Sequence, residues 1–483
     1  MDGQRSKGER VNLPPRIVIG AAQGRSGKTT ASIAAAWGFA KRGLSVRPFK
    51  KGPDYIDPSW LARASGRECY NLDGFLMPEA DLIASFARHS AGGDVAFVEG
   101  AMGLFDGFGE AGEGSVAELA RLIQAPVILV VNAARMTTSV AALVSGYQHF
   151  QPDTVIAGVI LNNVAGERHV DKLRRAVETH CGIPVLGTIP KDARLGISER
   201  HLGLVPTAEQ EEADNVIETI CERVESHLDL DGIMEVARSA PAMTAMLAPV
   251  EEYPATSCRI GVVRDRAFSF YYPDNLEALR RVGAEVVPVD ALGDRALPDV
   301  DGLYIGGGFP EIYAAGLEAN RTLRVEIARR IDGGLPVYAE CAGLMYLCRA
   351  ITWQGRRYEM AGVIPAEVEL TARPQGHGYV EVEVVRENPL FETGTLLRGH
   401  EFHHSTLVAE DELPFAYAVR RGRGIDGMHD GVYLKNVFAA YTHLHALGTP
   451  EWARRLVALC RKWKDTSRPL SKAVDPKRRA NHG

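Results

Sequence analysis

Long hydrophobic runs, paired cysteines and an excess of basic charge are all missing from this sequence of 483 residues. No apolar run approaches the ~20 residues that a membrane-spanning helix needs, and the polar stretch from Met1 to Arg10 does not resemble a secretory signal. The seven cysteines form no CxxC pair, which argues against a disulfide framework or a zinc ribbon. The net charge of −6 gives no reason to expect nucleic acid as a partner. We therefore expect a cytoplasmic protein with neither membrane nor nucleic-acid partners.

The apolar residues that are present predict an α/β protein. Hydrophobic residues make up 46% of the chain, and its length predicts two or three domains. In the first half, short apolar runs without strict alternation are separated by helical patterns, as in a doubly wound parallel sheet. The predicted strands there are Ile17–Gly20, Ser45–Phe49, Val95–Glu99, Val127–Val131, Val155–Leu161 and Val185–Ile189.

A second α/β pattern follows a segment rich in Ala, Pro, Met and Glu, which we interpret as a linker with one short helix. Beyond residue 351 the apolar residues alternate, which favours antiparallel strands. The basic, polar C-terminal end is predicted to be disordered. The predicted organisation is a first domain at 14–228, a linker at 229–257, a second domain at 258–462 and a tail at 463–483.

A glycine-rich turn connects the first predicted strand to a predicted helix. Ala22-x-x-x-x-Gly27-Lys28-Thr29 fits the Walker A frame except that alanine replaces its first glycine. In such a loop, backbone N–H groups hold phosphate oxygens, the lysine reaches the β- and γ-phosphates, and the threonine hydroxyl binds Mg²⁺. A chance glycine-rich turn is the alternative, but strand, loop and helix occur in the required order. The predicted ATP-binding residues here are Gly24, Gly27, Lys28, Thr29 and Thr30.

Charged residues follow two further strands of the first domain, at the sheet edge where α/β proteins bind ligands. Glu99 ends one strand and is a predicted Mg²⁺ ligand, direct or through water, although a lone strand-terminal glutamate is more often solvated. Bases and acids are unusually dense after another strand, as at a substrate or phosphate site, although a solvated loop would look similar. The predicted residues of this group are Lys50, Lys51, Asp54, Asp57 and Asp106.

Cys341 differs in context from the other cysteines. It follows an apolar strand and precedes Ala-Gly, small residues that permit a sharp turn. A thiol deprotonated by a histidine at such a turn can attack the amide of glutamine. Glycines after another strand let backbone N–H groups approach a developing negative charge, whereas the spacing of a dinucleotide-binding motif is absent. The predicted oxyanion donors are Gly307, Gly308 and Ala342.

The base for this thiol has to come from another part of the chain. His443, at the end of an apolar strand, is the best candidate. His443 and His445 would share one strand face, so a metal pair is an alternative, but no third ligand lies at a suitable spacing. Structural hydrogen bonds or substrate contacts explain a second cluster better than catalysis does; it comprises His400, His403 and His404.

Taken in order, these motifs resemble the cobyrinate a,c-diamide synthase family over roughly residues 14–462. The resemblance rests on the P-loop and on Phe49-Lys-Lys-Gly-Pro-Asp-Tyr-Ile-Asp-Pro, Asn71-Leu-Asp, Val98-Glu-Gly-Ala-Met-Gly-Leu-Phe-Asp-Gly, Glu199-Arg-His-Leu-Gly-Leu-Val-Pro, Arg264-Asp-x-Ala-Phe-Ser-Phe-Tyr-Tyr, Gly306-Gly-Gly-Phe-Pro-Glu, Glu340-Cys-Ala-Gly and Gly399-His-Glu-Phe-His-His-Ser.

The resemblance implies a dethiobiotin-synthetase-like P-loop domain joined to a glutaminase domain of the class I, or triad, amidotransferase type. It implies that ATP phosphorylates the a- and c-acetate carboxylates of a corrinoid in cobalamin biosynthesis, and that ammonia from glutamine then displaces the phosphate. Cys341 becomes the nucleophile and His443 its base. The residues assigned to Mg-ATP are Lys28, Thr29, Glu99 and, at the adenine, Asn162.

Three positions depart from the family pattern and are similar to relatives that amidate siroheme. Lys51 stands at a commonly apolar position, Asn132 ends a strand that usually ends in Asp, and no Phe follows His445. The predicted substrate is therefore a tetrapyrrole polycarboxylate, cobyrinic acid first, with siroheme or a sirohydrochlorin as the alternative. A ParA/MinD-like switch ATPase is the non-enzyme alternative, but it leaves Cys341 without a task. A homodimer is compatible with the sequence.

Overall fold

The computed structural model describes residues 9–192, 199–200, 203–209, 213–247 and 256–467. The chain forms two compact units. The first takes Met1–Glu251 and Phe270–Asp274, and the second takes Glu252–Ser269 and Asn275–Gly483.

The first unit is built on a parallel sheet. Its strands are β1 (Glu9–Asn12), β2 (Arg16–Ala21), β3 (Val46–Lys51), β4 (Tyr70–Leu72), β5 (Val95–Glu99), β6 (Val127–Asn132), β7 (Ile156–Val164), β8 (Val185–Pro190), β9 (Glu199–Arg200), β10 (Gly203–Leu204) and β11 (Thr244–Leu247). Seven of them form one sheet in the order β4-β3-β5-β2-β6-β7-β8, with every neighbour parallel. The predicted parallel α/β sheet is confirmed, and the structure adds the three-residue strand β4.

The helices of this unit connect the strands. They are α1 (Lys28–Lys41), α2 (Ile56–Ser65), α3 (Glu79–Ser90), α4 (Val116–Leu122), α5 (Ser139–Phe150), α6 (Glu167–Cys181), α7 (Ala213–Glu225) and α8 (Leu230–Arg238). Alanine favours helix, and a run of alanines lets α1 pack closely, because Ala34, Ala35 and Ala36 are buried. Because α1 follows the central strand β2, its N-terminus lies at the carboxyl edge of the sheet, where ligands bind in such folds.

The segment at 229–257, predicted as a linker with one short helix, contains the short helix α8 and the strand β11. Helix α8 buries the apolar stripe Leu230, Ile233, Met234 and Ala237, whose spacing is that of one helix face. Strand β11 pairs antiparallel with β1 near the N-terminus. Residues up to 247 therefore pack as part of the first unit, and residues 248–255 lie outside the described ones.

Buried Arg16 connects the segment after α8 to the sheet by hydrogen bonds. Arg16 is 1% exposed; its Nε donates to the carbonyl of Ile123 at 2.6 Å, and a terminal nitrogen donates to the carbonyl of Pro241 at 2.7 Å. A hydrogen bond to a charged group contributes about 1.5–3 kcal/mol, so we expect Arg16→Met to lower the free energy of unfolding of the first unit by about 2–4 kcal/mol. Urea dependence of hydrogen exchange in β2 and β6 measures this loss.

Arg10→Met is the matched control, since Arg10 lies on β1 with its side chain exposed. It should change the free energy of unfolding by no more than about 0.5 kcal/mol. If the two variants lost the same free energy of unfolding, the buried hydrogen bonds of Arg16 would contribute no stability.

The described residues of the second unit form two sheets. Its strands are β12 (Cys258–Val263), β13 (Ala284–Val289), β14 (Gly302–Ile305), β15 (Val337–Glu340), β16 (Cys348–Trp353), β17 (Arg356–Glu359), β18 (Ile364–Leu370), β19 (Gly376–Val384), β20 (Leu396–His403), β21 (Ser405–Ala409), β22 (Phe415–Arg421), β23 (His429–Leu434), β24 (Val437–Ala440) and β25 (His443–Leu444). Its helices are α9 (Pro273–Arg281), α10 (Ala314–Ala319), α11 (Arg321–Asp332), α12 (Ala342–Leu347) and α13 (Glu451–Ser467).

The larger sheet is parallel at one end and antiparallel at the other. Its order is β13-β12-β14-β15-β24-β23-β22-β19-β20-β25, and the first five strands are parallel neighbours. From β24 onward each neighbour is antiparallel, as the alternating pattern predicts. Because β14, β15 and β24 run in the same direction, their carboxyl ends at Ile305, Glu340 and Ala440 meet at one edge.

The last helix extends past the predicted domain boundary at 462. Helix α13 continues to Ser467, so residues 463–467 are helical and not part of a disordered tail. Trp463 Nε1 donates to the carbonyl of Gly333 at 3.4 Å, and Lys464 Nζ donates to that of Ser257 at 3.0 Å, which holds these turns in place. The rest of the predicted tail, 468–483, and residues 201–202 of the Glu199 motif lie outside the described residues. No helix in the described ranges has the length and apolarity required to cross a membrane.

Candidate active sites

The P-loop turn depends on one glycine. Gly27 caps α1 at φ 87° and ψ 20°, and a Cβ there would lie 2.0 Å from Asn162 Nδ2, so only glycine fits. Asn162 Nδ2 donates to the carbonyl of Ser26 at 2.9 Å, and its amide oxygen accepts the next backbone N–H. Asn162 thus braces the loop in this conformation, and its predicted contact with adenine stays a prediction. Gly24 is exposed in the loop, and Thr30 is half-buried in the first turn of α1.

Side chains from β3, β5, α1 and α2 converge beside this loop in a group that we call the phosphate-site cluster; it comprises Lys28, Thr29, Lys50, Asp57 and Glu99. Thr29 Oγ1 donates to Glu99 Oε1 at 2.8 Å and lies 3.3 Å from Asp57 Oδ2. Lys50 Nζ donates to Asp57 Oδ2 at 2.6 Å and to Glu99 Oε1 at 3.1 Å, because Lys50 and Glu99 are register partners on β3 and β5. Lys28 Nζ lies 3.6 Å from Glu99 Oε1. The sequence prediction that these residues share one site is consistent with this geometry.

Burial and charge act against each other in the cluster. Burial would lower the pKa of Lys50, but the carboxylates of Asp57 and Glu99 outweigh it and raise that pKa. Burial alone would raise the pKa of Asp57, yet Lys50 holds it below its usual value. The pKa of Glu99 is raised by burial. Burial, followed by the charge of Lys50, lowers the pKa of Lys28, so Lys28 is the cation that an added anion would stabilise most.

Asp54 lies beside the cluster, with its Oδ2 3.8 Å from Lys50 Nζ, and the carboxylates of Asp54 and Asp106 each accept backbone N–H groups. Asp54 Oδ1 accepts the N–H groups of Ile56 and Asp57 at 2.8 and 3.1 Å, at the start of α2. Burial and the charge of Asp57 raise the pKa of Asp54 to about 7. Asp106 is exposed, and its Oδ2 accepts the N–H of Gly103 at 2.9 Å, which closes the turn after β5.

Lys51 lies apart from the cluster. Successive residues of a strand point to opposite faces, so Lys51 faces away from Lys50. It is 8% exposed, and burial is the main cause that lowers its pKa, partly offset by the charges of Asp73 and Glu118. Neither carboxylate is within ion-pair distance of its ammonium, which makes no hydrogen bond to the residues that the structure describes. A buried cation of this kind would be stabilised by an anionic ligand.

The oxygen atoms of the cluster suit Mg²⁺. Magnesium takes hard oxygen ligands, often one or two carboxylates together with phosphate oxygens. Glu99 Oε2 is buried without a hydrogen-bond partner in the described part of the chain, and the Thr29 hydroxyl lies beside the same carboxylate. No group of three or more His, Cys, Asp or Glu side chains among the described residues could hold a metal ion alone. The residues therefore fit Mg²⁺ that is shared with a bound phosphate.

In the second unit, Cys341 occupies a strained turn. It follows β15 and caps α12 at φ 49° and ψ −100°, a conformation that costs of order 1–3 kcal/mol for a residue other than glycine. Its N–H donates to the carbonyl of Ala440 at 2.7 Å, and the N–H of Gly343 donates to that of Gly306 at 3.0 Å. A Cβ on Gly343 would lie 2.3 Å from the carbonyl of Ile305, so glycine is required there. Such strand-turn-helix geometry presents a nucleophile at the edge of an α/β sheet.

The thiol needs a base. Burial raises the pKa of Cys341, the charge of Glu311 raises it further, and the N–H of Ala342 lowers it. Burial of this side chain, which is 5% exposed, therefore favours the neutral thiol over the thiolate. The predicted oxyanion residues Gly307 and Gly308 follow β14, the parallel neighbour of β15, and Ala342 opens α12. Their role as donors stays a prediction.

His443 lies at the same sheet edge because the strand is interrupted for two residues between β24 and β25. The N–H groups of Tyr441 and Thr442 donate to the carboxylate of Asp430 at 3.0 and 2.9 Å, and His443 then pairs with His400 of β20. His443 Nδ1 lies 3.6 Å from Oε2 of Glu340, the residue immediately before Cys341. The predicted nucleophile and its predicted base thus lie on adjoining strand ends.

The other histidines are held by structural contacts. His403 Nδ1 contacts the carbonyl of Ser405 at 2.9 Å, and its ring stacks on Tyr441 with 3.7 Å between centroids. Burial, with the charges of neighbouring histidines, lowers the pKa of His400. His445 Nδ1 accepts a backbone N–H at 3.3 Å, and the described residues supply no third ligand for a metal pair with His443.

Comparison with known proteins matches both units. Residues 17–205 match the model of the CobQ/CobB/MinD/ParA nucleotide binding domain, and residues 259–451 match that of the CobB/CobQ-like glutamine amidotransferase domain. A cobyrinate a,c-diamide synthase of Magnetococcus marinus is 46% identical over 465 residues, which cover 94% of this chain and 99% of that protein. The namesake from Archaeoglobus fulgidus is 42% identical over 452 residues, with coverage of 93% and 98%. The chain therefore belongs to the cobyrinate a,c-diamide synthase family of glutamine-dependent amidoligases.

Proposed function

We propose that this enzyme converts the a- and c-acetate carboxylates of cobyrinic acid to amides, a step of cobalamin biosynthesis, with ammonia drawn from glutamine. ATP would phosphorylate each carboxylate to an acyl phosphate, and ammonia would then displace inorganic phosphate. The observation that carries the proposal is the presence of two complementary sites on one chain. A buried lysine–carboxylate cluster lies at a P-loop, and a buried thiol lies on a strained turn.

In the first unit, the phosphate-site cluster would bind and orient the triphosphate. Lys28 would pair with the β- and γ-phosphates, and the P-loop N–H groups would hold their oxygen atoms. Thr29 and Glu99 would hold Mg²⁺, which supplies neutralisation of the charge that develops during phosphoryl transfer. Lys50, which is fixed by Asp57 and Glu99, would add a second cation close to the transferred group.

In the second unit, Cys341 would attack the amide carbon of glutamine while its proton passes to His443. The N–H groups of Gly307, Gly308 and Ala342 would stabilise the oxyanion. Return of the proton from His443 to the departing nitrogen releases ammonia and leaves a thioester. Water then cleaves the thioester to give glutamate and the free thiol.

The proposal is tested by incubating the full chain with Mg-ATP, glutamine and cobyrinic acid and following product masses. We expect two successive products, each with the mass change of a carboxyl OH replaced by NH₂. One glutamate should form for each amide. Siroheme and sirohydrochlorin are the comparison substrates, and a preference for either would replace cobyrinic acid in the proposal. ATP hydrolysis that needs neither a tetrapyrrole nor a nitrogen donor would instead support the switch-ATPase alternative.

Lys51 is proposed to bind a carboxylate of the tetrapyrrole. A partly desolvated ion pair contributes about 1.5–3 kcal/mol, so Lys51→Met should raise KM for the tetrapyrrole by about 10- to 150-fold. Because Lys51 faces away from the phosphate-site cluster, KM for ATP should change by less than about threefold. Steady-state kinetics with each substrate varied in turn measures both values.

Lys172→Met provides the control, since Lys172 is an exposed lysine on α6. It should leave both KM values unchanged. A Lys51→Met enzyme with a raised KM for ATP and an unaltered KM for the tetrapyrrole would identify Lys51 as a nucleotide contact and remove this part of the proposal.

A further inference from the structure

We infer that Glu340, the residue directly before the nucleophile, is the carboxylate that orients His443 in the glutaminase site. This inference rests on the proposed glutaminase chemistry and adds a positioning residue to it. A base that takes a proton from a nucleophile works best when a third group fixes its tautomer and stabilises its charged form. Within the described residues, Glu340 is the carboxylate in an ion pair with His443, at 3.6 Å between Oε2 and Nδ1.

The position of Glu340 is fixed on every side. It is 1% exposed, Tyr304 donates to its Oε2 at 2.9 Å, and Tyr338 donates to its Oε1 at 2.9 Å. The backbone N–H of Leu444, the residue after His443, also donates to Oε1 at 3.0 Å. Oε1 thereby holds the backbone that carries His443, and Oε2 lies 3.6 Å from Nδ1 of its imidazole.

The neighbouring phenols are suited to an ionised carboxylate. Burial, followed by the charge of Glu340, raises the pKa of Tyr338 well above its usual value, so this phenol keeps its proton and can only donate to Glu340. Hydrogen bonds that donate to a carboxylate favour its charged form. The imidazolium formed during catalysis would lie beside this carboxylate.

Two other buried carboxylates of this unit, Asp430 and Glu401, have other partners. Asp430 accepts the N–H groups of Tyr441 and Thr442 and the Thr442 hydroxyl. Glu401 accepts the N–H groups of Arg423 and Gly424 at 2.6 and 2.8 Å, and its Oε2 lies 3.5 Å from Nε2 of His403. Asp430 thus holds the chain before His443 and Glu401 faces His403, whereas Oε2 of Glu340 lies 3.6 Å from Nδ1 of His443.

The contact between Glu340 and His443 assigns a separate role to each ring nitrogen. With Nδ1 turned to Glu340, a proton on Nδ1 is favoured, and Nε2 is left to take the proton of the Cys341 thiol. The distance of 3.6 Å exceeds a normal hydrogen bond, and such contacts commonly shorten once substrate is bound. As the proton moves to Nε2, the imidazolium forms beside an anion already in place.

The test compares two substitutions whose ranking separates positioning from packing. Glu340→Gln keeps shape and an acceptor oxygen but places an NH₂ group near Nδ1, which favours the tautomer that cannot take the thiol proton. Glu340→Asp keeps the charge but withdraws it by one methylene. We expect kcat for glutamine-dependent amidation to fall about 10²- to 10⁴-fold in Glu340→Gln and about 10-fold in Glu340→Asp, with KM for glutamine within about threefold. If Glu340 only packed, Glu340→Asp would lose more activity than Glu340→Gln, because the introduced glutamine side chain has the same shape as the glutamate.

The pH profile gives a second readout. Loss of the carboxylate removes the negative charge that would stabilise an imidazolium beside it. The acidic limb of kcat/KM for glutamine should therefore move to lower pH in Glu340→Gln and stay in place in Glu340→Asp. The other titratable groups around the imidazole and the thiol, which both variants keep, are Cys341, His400, His445, Glu311 and Asp430.

Ammonia-dependent amidation distinguishes the possible failures. It should remain within about threefold of the unmodified enzyme in both variants, since it bypasses the thiol. A Glu340→Gln enzyme with unchanged kcat, or one more active with glutamine than Glu340→Asp, would overturn the inference. If Glu340→Gln lost ammonia-dependent activity through misfolding, Glu340→Asp would decide alone, and an unchanged kcat there would overturn it. If the unmodified enzyme did not hydrolyse glutamine, the proposed function itself would fail.

Discussion

Cys341→Ser is expected to lower glutamine-dependent amidation at least ~10³-fold while ammonia-dependent amidation stays within about threefold. The serine hydroxyl is a far weaker nucleophile than the thiol, because its proton is much harder for His443 to remove. Burial already raises the pKa of the thiol, so the site depends on proton transfer, and a hydroxyl increases that demand. The synthetase chemistry is assigned to a different unit and does not use this side chain.

Cys348→Ser is the matched control for this substitution. Cys348 is equally buried and lies one short helix further along the chain, and its thiol donates to the carbonyl of Leu344 at 3.3 Å, a contact that a hydroxyl can keep. Both nitrogen donors should support normal rates in Cys348→Ser. Equal loss with glutamine and ammonia in Cys341→Ser would contradict the assignment of two separate sites.

Much of the two sites could be predicted because their geometry is local. A glycine at positive φ between a strand and a helix creates the P-loop turn, and small residues around Cys341 permit the strained turn there. Both requirements are visible in a few consecutive residues. The buried strands are likewise visible as runs of β-branched residues.

Features that depend on distant residues were missed. The pairing of β1 with β11 joins the two ends of the first unit, and no local pattern indicates it. Strand β4 is too short to show a period. Glu340 stands next to the nucleophile in the sequence, and an ionisable residue at the end of a buried strand is a usable signal. Its contact with His443 arises only because β15 and β24 are neighbours in the sheet.

Charge placement was predicted in part. The density of acids and bases after β3 indicated a ligand site, but not that Lys50 and Lys51 would take different environments. Strand alternation accounts for this difference, since it directs Lys50 to the phosphate-site cluster and Lys51 to the other face. Asp106 was predicted from its place in the sequence; its carboxylate closes a turn after β5, and its role toward substrate or phosphate stays a prediction.

Lys28→Ala is expected to reduce amidation at least ~10³-fold with glutamine and with ammonia alike, because phosphoryl transfer needs this charge at the β- and γ-phosphates. Burial and the adjacent Lys50 lower the pKa of Lys28, so the cluster favours an added anion at this position. Removal of the side chain leaves Glu99 with Lys50 as its ion-pair partner, and the carboxylates then outnumber the cations. Nucleotide binding, measured by calorimetry, should weaken together with the loss of amidation.

Two controls show whether Lys28→Ala loses catalysis or fails to fold. They are the rate of glutamine hydrolysis and the substitution of a second lysine on α1. Basal glutaminase activity should persist in Lys28→Ala, since Cys341 and His443 lie in the other unit. Lys41→Ala removes a lysine from the last turn of α1, where its ammonium lies over the Trp37 ring at 4.3 Å. That variant should keep amidation with both nitrogen donors. Ammonia-dependent amidation at the unmodified rate in Lys28→Ala would show that the P-loop takes no part in activating the carboxylate.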